Sequence, residues 1–166
     1  DECFRKMARK KRNSNLKKLR YFFLNDKIHK VIRSSRSKDE LVAWCYPDKK
    51  RVMYSYSQVE KYMGKAYGMK DVSALLNKHT VTLHDYILEG KIKAPQKIYP
   101  IGDPDNKNWS KYMFCEKDIL ELHEFILDSG HSGNVPSRAE LLGLLKHNII
   151  LYTKTDSGFI PVWKAE

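Results

Sequence analysis

The chain has few cysteines and no long apolar run, and each of these scarcities excludes a class of protein. Its three cysteines, Cys3, Cys45 and Cys115, stand far apart, with no C-x-x-C pair and no histidine at a ligand spacing. That pattern favours neither a disulfide framework nor a zinc site. There is no apolar run of about 18 residues and no charged-then-apolar leader. We therefore expect no membrane-spanning segment and no secretion.

Signatures of catalysis are also missing from the sequence. It contains no nucleophile elbow, no glycine-rich phosphate loop and no cluster of metal ligands, so we predict a non-enzymatic protein with no cofactor and no metal. His79 and His84 stand about 140° apart around a helix, too far to hold one ion from a single face. A length of 166 residues with 42% apolar content allows one moderate core or two small ones.

What the sequence has in excess is positive charge, and it is concentrated near the N-terminal end. The net charge is +11, and residues 1 to 66 hold nineteen Lys and Arg against seven Asp and Glu. Residues 67 to 130 hold eight against ten. Residues 5 to 20 hold nine basic residues and no acidic one, which predicts a flexible cationic arm over residues 1 to 19. Such an arm binds phosphates by releasing counterions; the alternative is a terminus that only aids solubility.

Residues 68 to 92 carry the most informative periodicity. The first segment has an apolar face at the helical period, formed by Met69, Val72, Leu75 and Leu76. The second has a similar face, formed by Leu83, Tyr86 and Ile87. Asn77 and Lys78 interrupt the first pattern, and Gly90 follows the second where a left-handed residue would end a helix. The pattern predicts two short helices joined by a tight turn.

The segment that follows indicates a hairpin and a third helix. Lys97 to Ile101 and Lys111 to Phe114 are predicted strands on either side of a turn-rich stretch. A helix is predicted from about Glu116 to Asp128, ending before Ser129 and Gly130. Its apolar stripe consists of Ile119, Leu122 and Ile126.

Residues 68 to 128 together resemble the MerR-like, excisionase-like winged helix-turn-helix family. The residues that carry the resemblance are Thr82, Leu83, Tyr86, Ile87, Gly90, Lys91 and Ile92, with Glu116, Lys117, Asp118 and Ile119 at the start of the closing helix. The resemblance implies a second helix that lies in the major groove of duplex DNA and a hairpin that forms a wing. The order of the segments and the C-terminal IPVWKAE also resemble small DNA-binding proteins of tailed bacteriophages.

The outward face expected for the second helix carries no Lys or Arg. It consists of Thr80, Val81, His84, Asp85 and Leu88, whereas members of the family often have Arg at positions matching three of these. Arg suits such positions because it pairs with guanine and with phosphate through two hydrogen bonds. The residues we predict to contact DNA are Arg9, Lys10, Lys11, Arg12, Lys17, Lys18, Lys78, Thr80, His84, Lys91, Lys107 and Lys111.

The flanking segments complete an α+β chain. Residues 20 to 66 predict a small antiparallel β-meander and a short helix, which a capping box at Ser57-x-x-Glu60 begins and which runs to about Lys65. The first strand, Arg20 to Leu24, is alternatively the end of a helix from Leu16. Residues 67 to 130 are the winged helix-turn-helix. Residues 131 to 166 are a helix from Pro136 to Lys146 and a β-hairpin, with strands Ile149 to Lys154 and Phe159 to Trp163.

Basic and aromatic residues alternate along the predicted meander. The basic ones are Lys27, Lys30, Arg33, Arg36, Lys38, Lys49, Lys50 and Arg51, and the aromatic ones are Tyr21, Trp44, Tyr46, Tyr54 and Tyr56. One interpretation is a platform for single-stranded nucleic acid, where bases stack on rings and phosphates lie on cations. The other is an ordinary sheet with a solvated polar face and an aromatic core.

The leading functional hypothesis is a cytoplasmic DNA-binding protein, with duplex DNA as its partner. The winged helix would give register or sequence preference, and the arm would give affinity for phosphates. The alternative is a structural, assembly or packaging protein of a phage, located in the host cytoplasm or the virion, that uses the winged helix to bind a protein. A second copy of the chain is a possible partner under either hypothesis. A shared fold does not fix a function.

Overall fold

The structure, a computed structural model, describes residues 20–103, 105–106, 109–130, 133–147, 152–155 and 158–161. These residues contain five helices and ten strands, and every strand pair is antiparallel, which confirms the α+β class. The chain divides into two compact units. The sheet unit contains the described part of Ser14–Gly68 and of Pro95–Glu116, and the helical unit contains Met69–Ala94 and the described part of Lys117–Glu166.

A five-stranded antiparallel sheet forms most of the sheet unit. Its strands are β1 (Tyr21–Leu24), β2 (Lys27–Ser35), β3 (Glu40–Cys45), β4 (Lys50–Ser55) and β5 (Gly64–Lys65), in the order β4-β3-β2-β1-β5. The meander is therefore confirmed, and the helical alternative for residues 21 to 24 is wrong. Asn25 and Asp26 have φ of 52° and 61°, which is the pair of left-handed residues that a two-residue hairpin turn needs.

The first helix, α1, covers Tyr56–Tyr62 and has Ser55 as its N-cap. The predicted capping box at Ser57 is therefore wrong, and the reason is a carboxylate from a distant turn. Asp39 accepts hydrogen bonds from the Ser57 backbone N–H and from the Ser55 hydroxyl, both at 2.7 Å. These bonds lower the pKa of Asp39, with the Ser55 hydroxyl as the largest cause. The helix ends at Tyr62 rather than near Lys65, because the next residues pair with β1 as strand β5.

Both faces of this sheet bury apolar side chains. On one face, α1 contributes to a core of Phe22, Leu41, Ala43, Tyr56 and Val59. On the other face, a second core contains Phe23, Ile28, Tyr46, Ile98 and Met113. Ile98 and Met113 come from a three-stranded sheet of β6 (Tyr67–Gly68), β7 (Gln96–Ile98) and β8 (Lys111–Phe114), in the order β6-β8-β7. The predicted hairpin thus exists and covers part of the meander. Its first strand is Gln96–Ile98 rather than Lys97 to Ile101, because the chain turns at Pro100, whose carbonyl accepts hydrogen bonds from Gly102 and Asp103.

Two side chains fasten this hairpin to the meander. Gln96 accepts a hydrogen bond from the Ile28 backbone N–H at 2.9 Å and donates one to the Asp26 carbonyl at 2.5 Å. The Tyr99 hydroxyl donates to the Tyr46 carbonyl at 2.9 Å. From the sequence we predicted that the hairpin and the helices of residues 67 to 130 form one domain. The structure instead places the strands of the hairpin in the sheet unit. The hydrogen bonds and the shared core give the physical reason.

The helical unit contains α2 (Met69–Leu76), α3 (Thr80–Leu88), nearly all of α4 (Glu116–Asp128), α5 (Arg138–Lys146), β9 (Tyr152–Thr155) and β10 (Gly158–Pro161). α2 contacts α3, α5 and β10. The predicted bounds of α4 are confirmed. α5 begins two residues later than predicted, because Ser137 and Glu140 form a capping box at its start. Of the predicted C-terminal strands, residues 149–151 and 162–163 lie outside the described residues.

Candidate nucleic-acid interface

The turn between α2 and α3 is held by one side chain of α2. The Ser73 hydroxyl donates a hydrogen bond to the Lys78 carbonyl, and the Lys78 N–H donates to the Ser73 carbonyl at 3.2 Å. Asn77 takes the left-handed conformation that the reversal needs, with φ of 53°, a conformation that Asn tolerates better than most residues. The positions of Lys78 and of the first residues of α3 are therefore fixed by local bonds.

Helix α3 has one buried and one exposed face, in the phase that the sequence predicted. Leu83 is fully buried, and Tyr86 and Ile87 are nearly so. The exposed positions are Thr80, Val81, His84, Asp85 and Leu88. The side chains of Val81 and Leu88 are 69% and 68% exposed, so the outward face is partly apolar and, at Asp85, acidic.

The end of α3 confirms the role predicted for Gly90. This residue has φ of +72°, its N–H donates to the Ile87 carbonyl at 3.1 Å, and the Lys91 N–H donates to the Tyr86 carbonyl at 3.0 Å. These two bonds are those of a Schellman motif, which a glycine at this position favours. The exit of the chain from α3 is thus set by the sequence itself.

Lys91, one of the predicted DNA contacts, is already engaged by neighbouring groups. Its Nζ lies 2.9 Å from the Glu89 carboxylate and 5.8 Å from the centroid of the Tyr86 ring. The hydrogen bond to Glu89 raises the pKa of Lys91. A phosphate that approached Lys91 would also meet the charge of Glu89, so this lysine is a weaker phosphate contact than its charge suggests.

A shallow depression of about 510 Å³ lies beside the start of α3. Its lining includes Lys78, Thr82 and Asn134. The Asn77 side chain donates a hydrogen bond to the Asn134 carbonyl at 3.4 Å, which ties the α2–α3 turn to the segment before α5. His79 is the N-cap of α3 and makes no side-chain capping bond.

The twelve predicted DNA contacts do not form one described surface. Lys78, Thr80, His84 and Lys91 lie at or near α3 in the helical unit, and Lys111 belongs to the sheet unit, with its Nζ 5.7 Å from the centroid of the Trp109 ring. The other seven lie outside the described residues; they are Arg9, Lys10, Lys11, Arg12, Lys17, Lys18 and Lys107. Among the described residues, the structure places four of the predicted contacts at or near one helix, α3.

The basic residues of the meander include some with a carboxylate partner and some that share one face of the sheet. Lys27 pairs with Asp48 at 2.8 Å, and Arg36 lies 3.5 Å from Glu60. Lys30, Arg33 and Arg51, by contrast, occupy cross-strand positions on one face of the sheet. The predicted contacts did not include these three, although the alternation of strand residues was the signal that could have found them.

Most of the aromatic residues of the meander belong to its cores. This arrangement agrees with the interpretation of an ordinary sheet and differs from a platform of exposed rings. Tyr46 and Tyr56 are buried, and Tyr21, Trp44 and Tyr54 are half-buried.

His29 is a buried titratable group within this sheet. Its Nδ1–H donates to the Lys27 carbonyl at 2.8 Å, which leaves Nε2 to accept a hydrogen bond from the Tyr54 hydroxyl at 2.8 Å. Burial lowers the pKa of His29, because the low-dielectric interior disfavours the charged imidazolium. Cys45 lies opposite His29 in the register, and burial raises the pKa of its thiol. The pair is therefore a neutral part of the core.

Among the residues placed by the structure, no three His, Cys, Asp or Glu side chains group as metal ligands would. Within the same residues, no helix combines the length and the apolar character needed to span a membrane. A scan against models of protein families found no match, and searches of curated proteins and of solved structures found no similar chain.

Proposed function

We propose that the protein is a non-enzymatic DNA-binding protein of MerR-like winged helix-turn-helix type, acting in the cytoplasm. The observation that carries this proposal is helix α3, which follows a fixed turn and presents one whole face to solvent. A helix held in this way has the form of a recognition helix that enters a major groove. The chain's net charge of +11 favours a polyanionic partner.

Under this proposal, recognition and affinity come from different parts of the chain. Thr80 and His84 are polar residues without a carboxylate on the outward face of α3, and they would contact base edges. Asp85 on the same face repels phosphates, so α3 contributes little to affinity by charge. The affinity would come from the basic residues 5 to 20, since each cation that neutralises a phosphate releases counterions.

Fluorescence anisotropy with a labelled duplex, measured over a series of salt concentrations, tests this division. Deletion of residues 1 to 19 should weaken binding and flatten the plot of log affinity against log salt. The double change of Thr80 and His84 to Ala should remove any preference among duplex sequences while leaving the salt slope in place. Asp85→Arg should raise the affinity. An unchanged slope after the deletion would contradict the role of the arm, and unchanged sequence preference would contradict the role of α3.

A second candidate function is supported by the apolar part of the same face. Val81 and Leu88 stand seven residues apart on α3 and are 69% and 68% exposed, which suits a protein partner better than a phosphate backbone. The protein would then be a structural or assembly component, for instance of a phage particle. Sedimentation of Val81→Glu and Leu88→Glu tests it, because loss of an assembly with DNA binding intact would favour this function over the first.

A further inference from the structure

The register of β2, β3 and β4 collects three cations on one open face of the sheet. Arg51 is the cross-strand partner of Trp44, and Trp44 is the partner of Lys30. In the next row on the same face, two residues from Trp44 along β3, Val42 is opposite Arg33 on one side and opposite Met53 on the other. We call Lys30, Arg33, Trp44, Arg51 and Met53 the open β face. A bulge at residue 32 keeps Arg33 on the same side as Lys30.

The hairpin of β7 and β8 covers only the neighbouring part of this side. Ile98 and Met113 pack on Phe23, Ile28 and Tyr46, and Trp44 stands at the edge of that cluster. Beyond Trp44, Arg33 and Arg51 are exposed, and Met53 is 60% exposed. Val42, which the register places between Arg33 and Met53, is buried. The exposed part of the open β face is therefore formed by Arg33, Arg51 and Met53, and it adjoins a packed core.

The cations of the open β face are not neutralised by neighbouring carboxylates. None of Lys30, Arg33 and Arg51 forms an ion pair with another described residue, in contrast to Lys27 and Arg36. Glu40 lies on this side two residues from Val42 and is a diagonal neighbour of Arg33, about 7–8 Å away, so one negative charge offsets part of the three positive ones. The face therefore carries positive potential that a polyanion would reduce.

We propose that the open β face binds a single-stranded segment of nucleic acid. Cross-strand neighbours stand about 5 Å apart, and residues two apart on a strand about 7 Å apart. Lys30 and Arg51 are two strands apart with Trp44 between them, so about 10 Å separates them. Arg33 and Arg51 are about 12 Å apart by the same spacings, and long Lys and Arg side chains span such distances to contact phosphates along one extended strand. Met53 and the half-buried Trp44 add apolar surface between the cations, and unpaired bases can cover it. A duplex presents phosphates and sugars on its outside and has no free base faces for these side chains.

The residues of this site belong to the sheet unit and α3 belongs to the helical unit, so the proposal uses none of the residues proposed to recognise duplex DNA. Its test uses a labelled oligothymidine of about 16 nucleotides, the upper end of typical site sizes, and the full chain. The test variant changes Arg33 and Arg51 to Gln. The matched control changes Lys38 and Lys49 to Gln, which removes the same charge from two exposed turn residues outside the open β face. Thermal unfolding of both variants should match that of the unmodified protein.

We expect the test variant to bind oligothymidine at least about tenfold more weakly and to lose about 1.4 from the salt slope, since each single-strand contact contributes about 0.7. The control variant should retain most of the affinity. Met53→Asp should weaken binding without changing the fold, because it sets a negative charge beside the strand. Equal losses in the test and control variants would overturn the proposal.

Two further binding measurements, with a DNA duplex and with polyglutamate, test whether the open β face prefers a ligand other than a single strand. If the test variant loses affinity for a duplex of equal length as strongly as for oligothymidine, the assignment to single strands is overturned. If the test variant loses affinity for polyglutamate as strongly as for oligothymidine, the face recognises acidic polymers in general, and the nucleic-acid assignment is also overturned. Loss of oligothymidine binding with duplex affinity retained supports the proposal, whatever the outcome of the tests on α3.

Discussion

Replacement of Tyr86 by Ala probes the packing that holds α3 in place. The Tyr86 side chain is 9% exposed, and its ring lies 5.1 Å from the ring of Phe125 at an angle of 73°. Truncation of a buried aromatic side chain costs about 3–5 kcal/mol, of which an aromatic pair accounts for about 0.5–1.5 kcal/mol. Because the ring is not completely buried, we expect a loss near the lower end, about 3 kcal/mol in the free energy of unfolding.

Urea denaturation followed by circular dichroism would measure this loss. Tyr86→Phe keeps the ring and its contact with Phe125, so we expect it to stay within about 1 kcal/mol of the unmodified protein. Leu88→Ala changes a side chain of the same helix that is 68% exposed, and its effect should be below about 0.5 kcal/mol. A nearly neutral Tyr86→Ala together with a costly Leu88→Ala would show that the assigned buried and exposed faces of α3 are reversed.

Three more predictions concern single groups. Gln96→Ala should lower the free energy of unfolding by about 1–3 kcal/mol in the same assay, because it leaves the Ile28 N–H without its acceptor; an effect near zero would contradict the fastening of the hairpin. Gly90→Ala should cost about 1–2 kcal/mol, since a side chain is strained at φ of +72°; no loss would refute the left-handed end of α3. His29 has a pKa below its ordinary value of 6.5 in the folded protein, so the unfolded chain takes up the proton first. Stability should therefore be highest above pH 6.5 and fall as the pH drops through that value, and a His29→Gln variant that kept the same decline would contradict this assignment.

The sequence by itself determined the helices of the helical unit and the turns of the meander. The bounds of α4 and the apolar faces of α2 and α3 follow from apolar residues at the helical period, and the end of α3 follows from Gly90, because these signals act within a few residues of the chain. The turn at Asn25 and Asp26 is equally local. The inward positions Leu83 and Tyr86 were also predictable, since one helical phase buries both.

Tertiary structure decided the features that depend on residues far apart in sequence. α1 begins after Ser55 because the Asp39 carboxylate, from another turn, accepts the bond of the Ser57 N–H, and no local pattern contains that partner. The hairpin belongs to the sheet unit because Gln96 bonds to the β1–β2 turn.

The same dependence on distant residues applies to the surface charges. Periodicity shows that a strand has two faces, but only the pairing of β2, β3 and β4 shows which cations share one. That register separates Lys27 and Arg36, which have carboxylate partners, from Arg33 and Arg51, which share the open β face. The sequence therefore determined how much positive charge this protein carries, and the tertiary structure decided where it is available, because cross-strand neighbours are set by pairing rather than by order along the chain.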